Sequence, residues 1–93
     1  MSVTLKLLQN KIDCINEMTG NPAEPYSKTE SGFVANIGCY YISQAYGGVA
    51  LVRMASHGGG QSMPTQSGHI TKRELNHQLD GFLAALREMR AQA

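Results

Sequence analysis

Apolar residues in this 93-residue chain recur with one period, switch to a second, and then return to the first. Leu5, Leu8, Ile12 and Ile15 fall three and four positions apart. Between 33 and 43, Phe33, Ala35, Ile37, Cys39 and Tyr41 alternate with Val34, Asn36, Gly38, Tyr40 and Ile42. From Leu75 onward, Leu79, Phe82, Leu83, Leu86 and Met89 restore the helical spacing. A helix buries one stripe and a strand alternates its faces, so this order predicts helix, strands, helix. A chain of this length has room for one core, which makes residues 1–93 a single α+β domain. It should comprise a long N-terminal helix, a small antiparallel sheet (a hairpin over 33–54 plus a short extra strand) and a C-terminal amphipathic helix.

The boundaries follow from local chemistry. Ser2 or Thr4 caps a helix over 3–19, and Gly20 followed by Asn21-Pro22 stops it. Residues 21–32, with Pro22, Pro25 and Gly32, read as a surface linker with room for a short strand near Tyr26. Gly38 inside the predicted 33–43 strand suggests a bulge or a close backbone approach. A second strand spans 48–54, and Gln44–Gly48 supplies a hairpin connection. Residues 55–68 are loop-rich around Gly58–Gly60, and Gln61-Ser62-Met63 form a brief third strand. Thr71 and Glu74 make a capping box, with Ile70 and Leu75 as its hydrophobic staple, opening a helix that runs to about Arg90.

The first helix carries a second apolar stripe, Leu7, Cys14 and Met18, so roughly half its surface is apolar. Either it lies in a groove of its own subunit, or it packs on its own sheet and on a neighbouring subunit. Small chains that lack disulfides or metals commonly self-associate, which favours the second arrangement.

Composition excludes several function classes. Eight basic against seven acidic residues give a net charge of +1, without the basic stripe of a duplex-binding protein. No stretch approaches the roughly 20 apolar residues of a membrane span. The opening Met1-Ser-Val-Thr-Leu-Lys lacks a secretory pattern, so a cytoplasmic protein with Cys14 and Cys39 as free thiols is expected. Paired carboxylates, zinc-ligand spacing and a phosphate-binding P-loop are all missing from the sequence, and neither a catalytic residue, a metal nor a cofactor is expected.

One constellation points to a ligand. The 71–74 box leaves backbone N–H groups free at a positive helix end, and Lys72 and Arg73 stand in that turn. Helix electrostatics alone would place acids there. The pair are either solvated surface charges or groups that meet an anion. Tyr46, beside Gly47-Gly48, is either a half-buried plug or a platform on which a base stacks. The polar segment 56–60 would then rim the pocket. An aromatic face, a flexible rim and a cationic helix start together fit an anionic nucleotide.

The order helix, Ala45-Tyr46-Gly47-Gly48, Ser56-His57-Gly58-Gly59, Thr71-Lys72-Arg73-Glu74-Leu75 resembles small phage proteins of one Thoeris anti-defence type. The resemblance covers about 33–86 and the helix before it. It implies a sponge that sequesters cyclic ADP-ribose-type immune signals, and in some members cyclic trinucleotides, without cleaving them. It also implies a homo-oligomer, a hexamer in that family, acting in the bacterial host cytoplasm. Tyr46 takes the place of the aromatic that stacks on adenine, with Gly47 beside it, and Arg73 that of the arginine meeting the phosphates. Ser56 stands where the family pattern has an asparagine, which puts that polar contact in doubt and leaves His57 as its replacement. The competing reading is a small phage inhibitor that binds a host defence protein directly.

Overall fold

The computed structural model describes residues 2–65 and 67–92. Its elements are α1 (Leu5–Thr19), β1 (Tyr26–Thr29), β2 (Gly32–Ala35), β3 (Tyr40–Ala45), β4 (Gly48–Met54), β5 (Gln61–Ser62) and α2 (Lys72–Gln92). The fold is α+β, with antiparallel sheets ordered β1-β2 and β3-β4-β5.

Thr4, in extended backbone, caps α1 by accepting from the Leu7 N–H at 3.1 Å, so the helix starts at Leu5. Gly20 ends it in the left-handed region at φ 70°, and the Asn21 N–H donates back to the Asn16 carbonyl at 2.9 Å. At α2 the capping box forms: the Glu74 N–H donates to Thr71 Oγ1, and the Thr71 N–H donates to Glu74 Oε1. Leu8, Ile12, Ile15, Leu75, Leu79 and Leu83 bury their side chains against Tyr40, Val49 and Leu51. Lys11 ties the helices by donating to Asn76 and pairing with Asp80 at 2.6 Å. Among the described residues, no helix is long and apolar enough to cross a membrane.

Three expectations need correction. The predicted 33–43 strand is two strands in two sheets, broken at 36–39, and the first of them pairs with β1, the short strand expected near Tyr26. Asn36 makes the break. Its side-chain amide donates to the Glu24 carbonyl and to Ser27 Oγ, and its backbone N–H donates to the Pro25 carbonyl. Gly38 completes the turn at φ 97°, where a Cβ would strike the Asn21 side chain. The first apolar stripe is also shorter than predicted, since Leu5 is exposed. Cys14 and Met18 of the second stripe pack on the chain's own core. Finally, Met89 is exposed, because Leu86 is the last residue of α2 packed against that core.

Among the described residues, Asn16 is the buried polar residue of the core. Its amide donates to the Tyr40 carbonyl at 2.9 Å and its Oδ1 accepts from the Tyr40 N–H at 2.8 Å. It thus acts as a one-residue strand on the outer edge of β3. Tyr40 is held further by the Phe82 ring, edge-on at 5.6 Å, and by the Arg53 guanidinium 5.1 Å from its centroid.

Candidate functional site

The connection between β3 and β4 is two residues long, because Ala45 pairs with Gly48. Tyr46 at φ 53° and Gly47 at φ 73° both lie in the left-handed region, as a type I′ turn requires. Glycine adopts that conformation freely, and Asn or Asp tolerates it. Tyrosine does not, and among the described residues Tyr46 is the one non-glycine held there. Its side chain is 98 % exposed, so packing does not compensate the strain.

The start of α2 is delivered to this corner by backbone pairing. Val49 and Ile70 exchange N–H···O bonds of 2.8 Å in both directions. Gly48 permits this approach, since a Cβ there would lie 2.9 Å from the Ile70 carbonyl oxygen. The two glycines therefore have different duties. Gly48 is filled by the 69–70 backbone, whereas Gly47 has open space where a side chain would stand.

A cavity of about 400 Å³ lies at this corner, lined by Gln44, Ala45, Gly47, Gly48, Val49 and Lys72. That volume is within the usual range of small-molecule sites. Lys72 is its charged wall. Arg73, the next residue, is exposed on the same turn but does not line the cavity. Among the described residues, the N–H groups of Lys72 and Arg73 have no protein acceptor, while that of Glu74 is taken by Thr71.

His69 reaches the corner without having been singled out from the sequence. Its Nε2 lies 3.0 Å from Ser43 Oγ, and its ring meets Tyr46 at 5.6 Å between centroids with planes 71° apart. The one available signal was its position two residues before the Thr71 cap.

Ser56 and His57 do not join this group within a protomer. They follow β4, while Tyr46 and Gly47 precede it, and a seven-residue strand separates its ends by about 20 Å. The 56–60 segment is a turn between β4 and β5, not a rim of the Lys72 cavity. Ser56 Oγ accepts from the Gly60 N–H at 2.9 Å, and the Ala55 N–H donates to the Gly60 carbonyl at 2.7 Å.

No known protein family, curated protein or solved structure matches this chain.

The two thiols differ in setting. Cys39 is buried, and desolvation raises its pKa above the ordinary 9.0 despite its contact with Asn16. Cys14 is half-buried on α1. Among the described residues, no group of three His, Cys, Asp or Glu side chains is placed to hold a metal ion.

Proposed function

We propose that this protein binds an anionic nucleotide of the cyclic ADP-ribose class at the β3–β4 corner and sequesters it without cleaving it. Tyr46 carries the reading. A wholly exposed aromatic in a left-handed turn position costs about 1–2 kcal/mol of backbone energy and buries almost nothing in return. Strain of this kind is commonly retained where a side chain must meet a ligand. A base stacked on Tyr46 would put its phosphates near Lys72 and the free N–H groups of the α2 start. Gly47 leaves the approach open. Those contacts grip an anion, which suits a sponge.

Ser56 and His57 can meet the same ligand only from a second protomer, turned so that its 56–60 turn faces the first protomer's Tyr46. The reading therefore includes a homo-oligomer with composite sites, up to the six subunits that the anti-defence resemblance implies. Cyclic trinucleotides are the second ligand class in that scheme, and suppression of bacterial anti-phage signalling is the biological outcome.

The test is depletion of cyclic ADP-ribose isomers and cyclic oligonucleotides by the purified protein, followed by heat denaturation. Recovery of intact ligand is expected. Recovery of a hydrolysed product would mean an enzyme. Lys72→Ala should weaken depletion more than Arg73→Ala, because Lys72 lines the cavity.

One observation favours a second reading, a protein-binding inhibitor. Tyr26 and Phe33, diagonal neighbours on one face of the β1–β2 hairpin, are both exposed and line an open apolar hollow. An uncovered apolar patch is a common mark of a protein contact. Absence of depletion for every nucleotide, with loss of anti-defence activity in Phe33→Ser, would favour it.

A further inference from the structure

We propose that His69 is a positioning residue for Tyr46, and through it for the ligand; this rests on the nucleotide reading above. A side chain at the tip of a two-residue turn normally samples its rotamers on a picosecond to nanosecond scale. Tyr46 has a neighbour that limits this, the His69 ring, 5.6 Å away and steeply inclined. The contact orients the tyrosine while leaving it 98 % exposed. At that exposure the ring keeps a face open to a base.

His69 can do this because it is itself held from two sides. Ser43 Oγ, on β3, lies 3.0 Å from its Nε2, whichever partner carries the proton. Its backbone is pressed against Gly48 and leads directly into the Val49–Ile70 pairing. The inner wall of the corner is thus tied to the sheet, and three residues later the same segment becomes Lys72. One short run of chain sets both the aromatic plane and the cationic helix start. A ligand then meets groups that are already aligned, and the ordering cost of association falls.

The experiment combines a ligand-free readout with a binding readout on Tyr46→Ala, His69→Ala, His69→Phe and Ser43→Ala. Aromatic proton–carbon spectra report the Tyr46 ring, and depletion of cyclic ADP-ribose reports binding. His69→Ala should shift the Tyr46 ring resonances and weaken cyclic ADP-ribose binding by about 3- to 10-fold, the range expected for an edge-to-face contact. His69→Phe keeps a ring in place and should restore most of the affinity. Ser43→Ala leaves the Ile70 backbone pairing untouched, and serves if His69→Ala disturbs the start of α2. It should broaden the Tyr46 signals and weaken binding by about 2- to 3-fold.

Unchanged Tyr46 resonances in both His69→Ala and Ser43→Ala would overturn the proposal, with or without a ligand. So would unchanged affinity in these variants when Tyr46→Ala abolishes binding, which would leave the nucleotide reading standing. If the wild type fails to deplete cyclic ADP-ribose, the functional reading falls and the positioning role for a ligand falls with it. The spectra then still decide whether His69 holds the tyrosine.

Discussion

Tyr46 and Tyr41 are both tyrosines in places that cost stability, for opposite reasons. Tyr46 is fully exposed in a strained turn. Asparagine accepts the left-handed region far better, so Tyr46→Asn should raise stability by about 1 kcal/mol in urea unfolding while removing ligand depletion. A variant that is both destabilised and fully binding would contradict the assignment. Tyr41 instead buries its hydroxyl near the Gln61 side chain, without a well-formed hydrogen bond among the described residues. Removing that oxygen removes a desolvation penalty, so Tyr41→Phe should be neutral or stabilising by up to about 1 kcal/mol. The same burial raises the phenol's pKa above 10.0 and, at Cys39, the thiol's above 9.0. Each group is then better held protonated in the folded state than in the unfolded chain. Their contribution is complete below about pH 9 and is lost as the pH climbs through the raised values. Unfolding free energy should decline on the alkaline side, and Tyr41→Phe should flatten the part of that decline above about pH 10.

At the scale of elements, what could be read from the chain was what depends on near neighbours. The α2 start is legible because Thr71, Glu74, Ile70 and Leu75 act on one another within a turn. The β3–β4 hairpin is legible from its alternation and its Gln44–Gly48 connection, of which the strands take all but Tyr46 and Gly47. The division of 33–43 was hidden, because Asn36 breaks the strand by reaching Glu24, Pro25 and Ser27, far enough back that no local pattern reveals it. The role of Asn16 was hidden for the same reason. On a helix it reads as an ordinary polar residue, yet it closes the β3 edge from 24 positions away. Asn16→Leu fills the space but leaves the buried Tyr40 N–H unpaired and its carbonyl with only the weak Cys39 thiol donor, and should cost about 2–4 kcal/mol. Thermal unfolding of that variant, against Asn76→Leu as a part-buried control, checks it. Equal losses would mean that Asn16 acts through packing alone. The candidate site was legible in the same measure. The helix start and the turn could be read locally, whereas the Val49–Ile70 pairing that joins them and brings in His69 could not.

For the whole molecule, the two ends of β4 pose the main question. Tyr46, Gly47 and Lys72 gather at one end, and Ser56 and His57 stand at the other, about 20 Å away. No ordinary side-chain movement closes that distance inside one protomer. If both ends serve one ligand, they belong to different copies of the chain. Helix α1 offers a surface for such pairing at its exposed Leu5, although Cys14 and Met18 are already used by the chain's own core. Complementation tests this directly. Tyr46→Ala and His57→Ala proteins, each defective alone, are unfolded together and refolded as a mixture. With a composite site, a mixed pair unites the intact Tyr46 of one chain with the intact His57 of the other. In a two-fold arrangement half the pairs are mixed and each regains one of its two sites, so about a quarter of the wild-type cyclic ADP-ribose capacity should return. A site built within one protomer regains nothing, because every chain in the mixture still lacks one of its groups. Adding Leu5→Asp to both chains should lower the oligomer mass and abolish the recovered capacity together, if α1 supplies the pairing surface. No recovery from the mixture would place Tyr46 and His57 on one chain after all, against the geometry of β4, and recovery that persists in the Leu5→Asp proteins would assign the pairing to a surface other than α1.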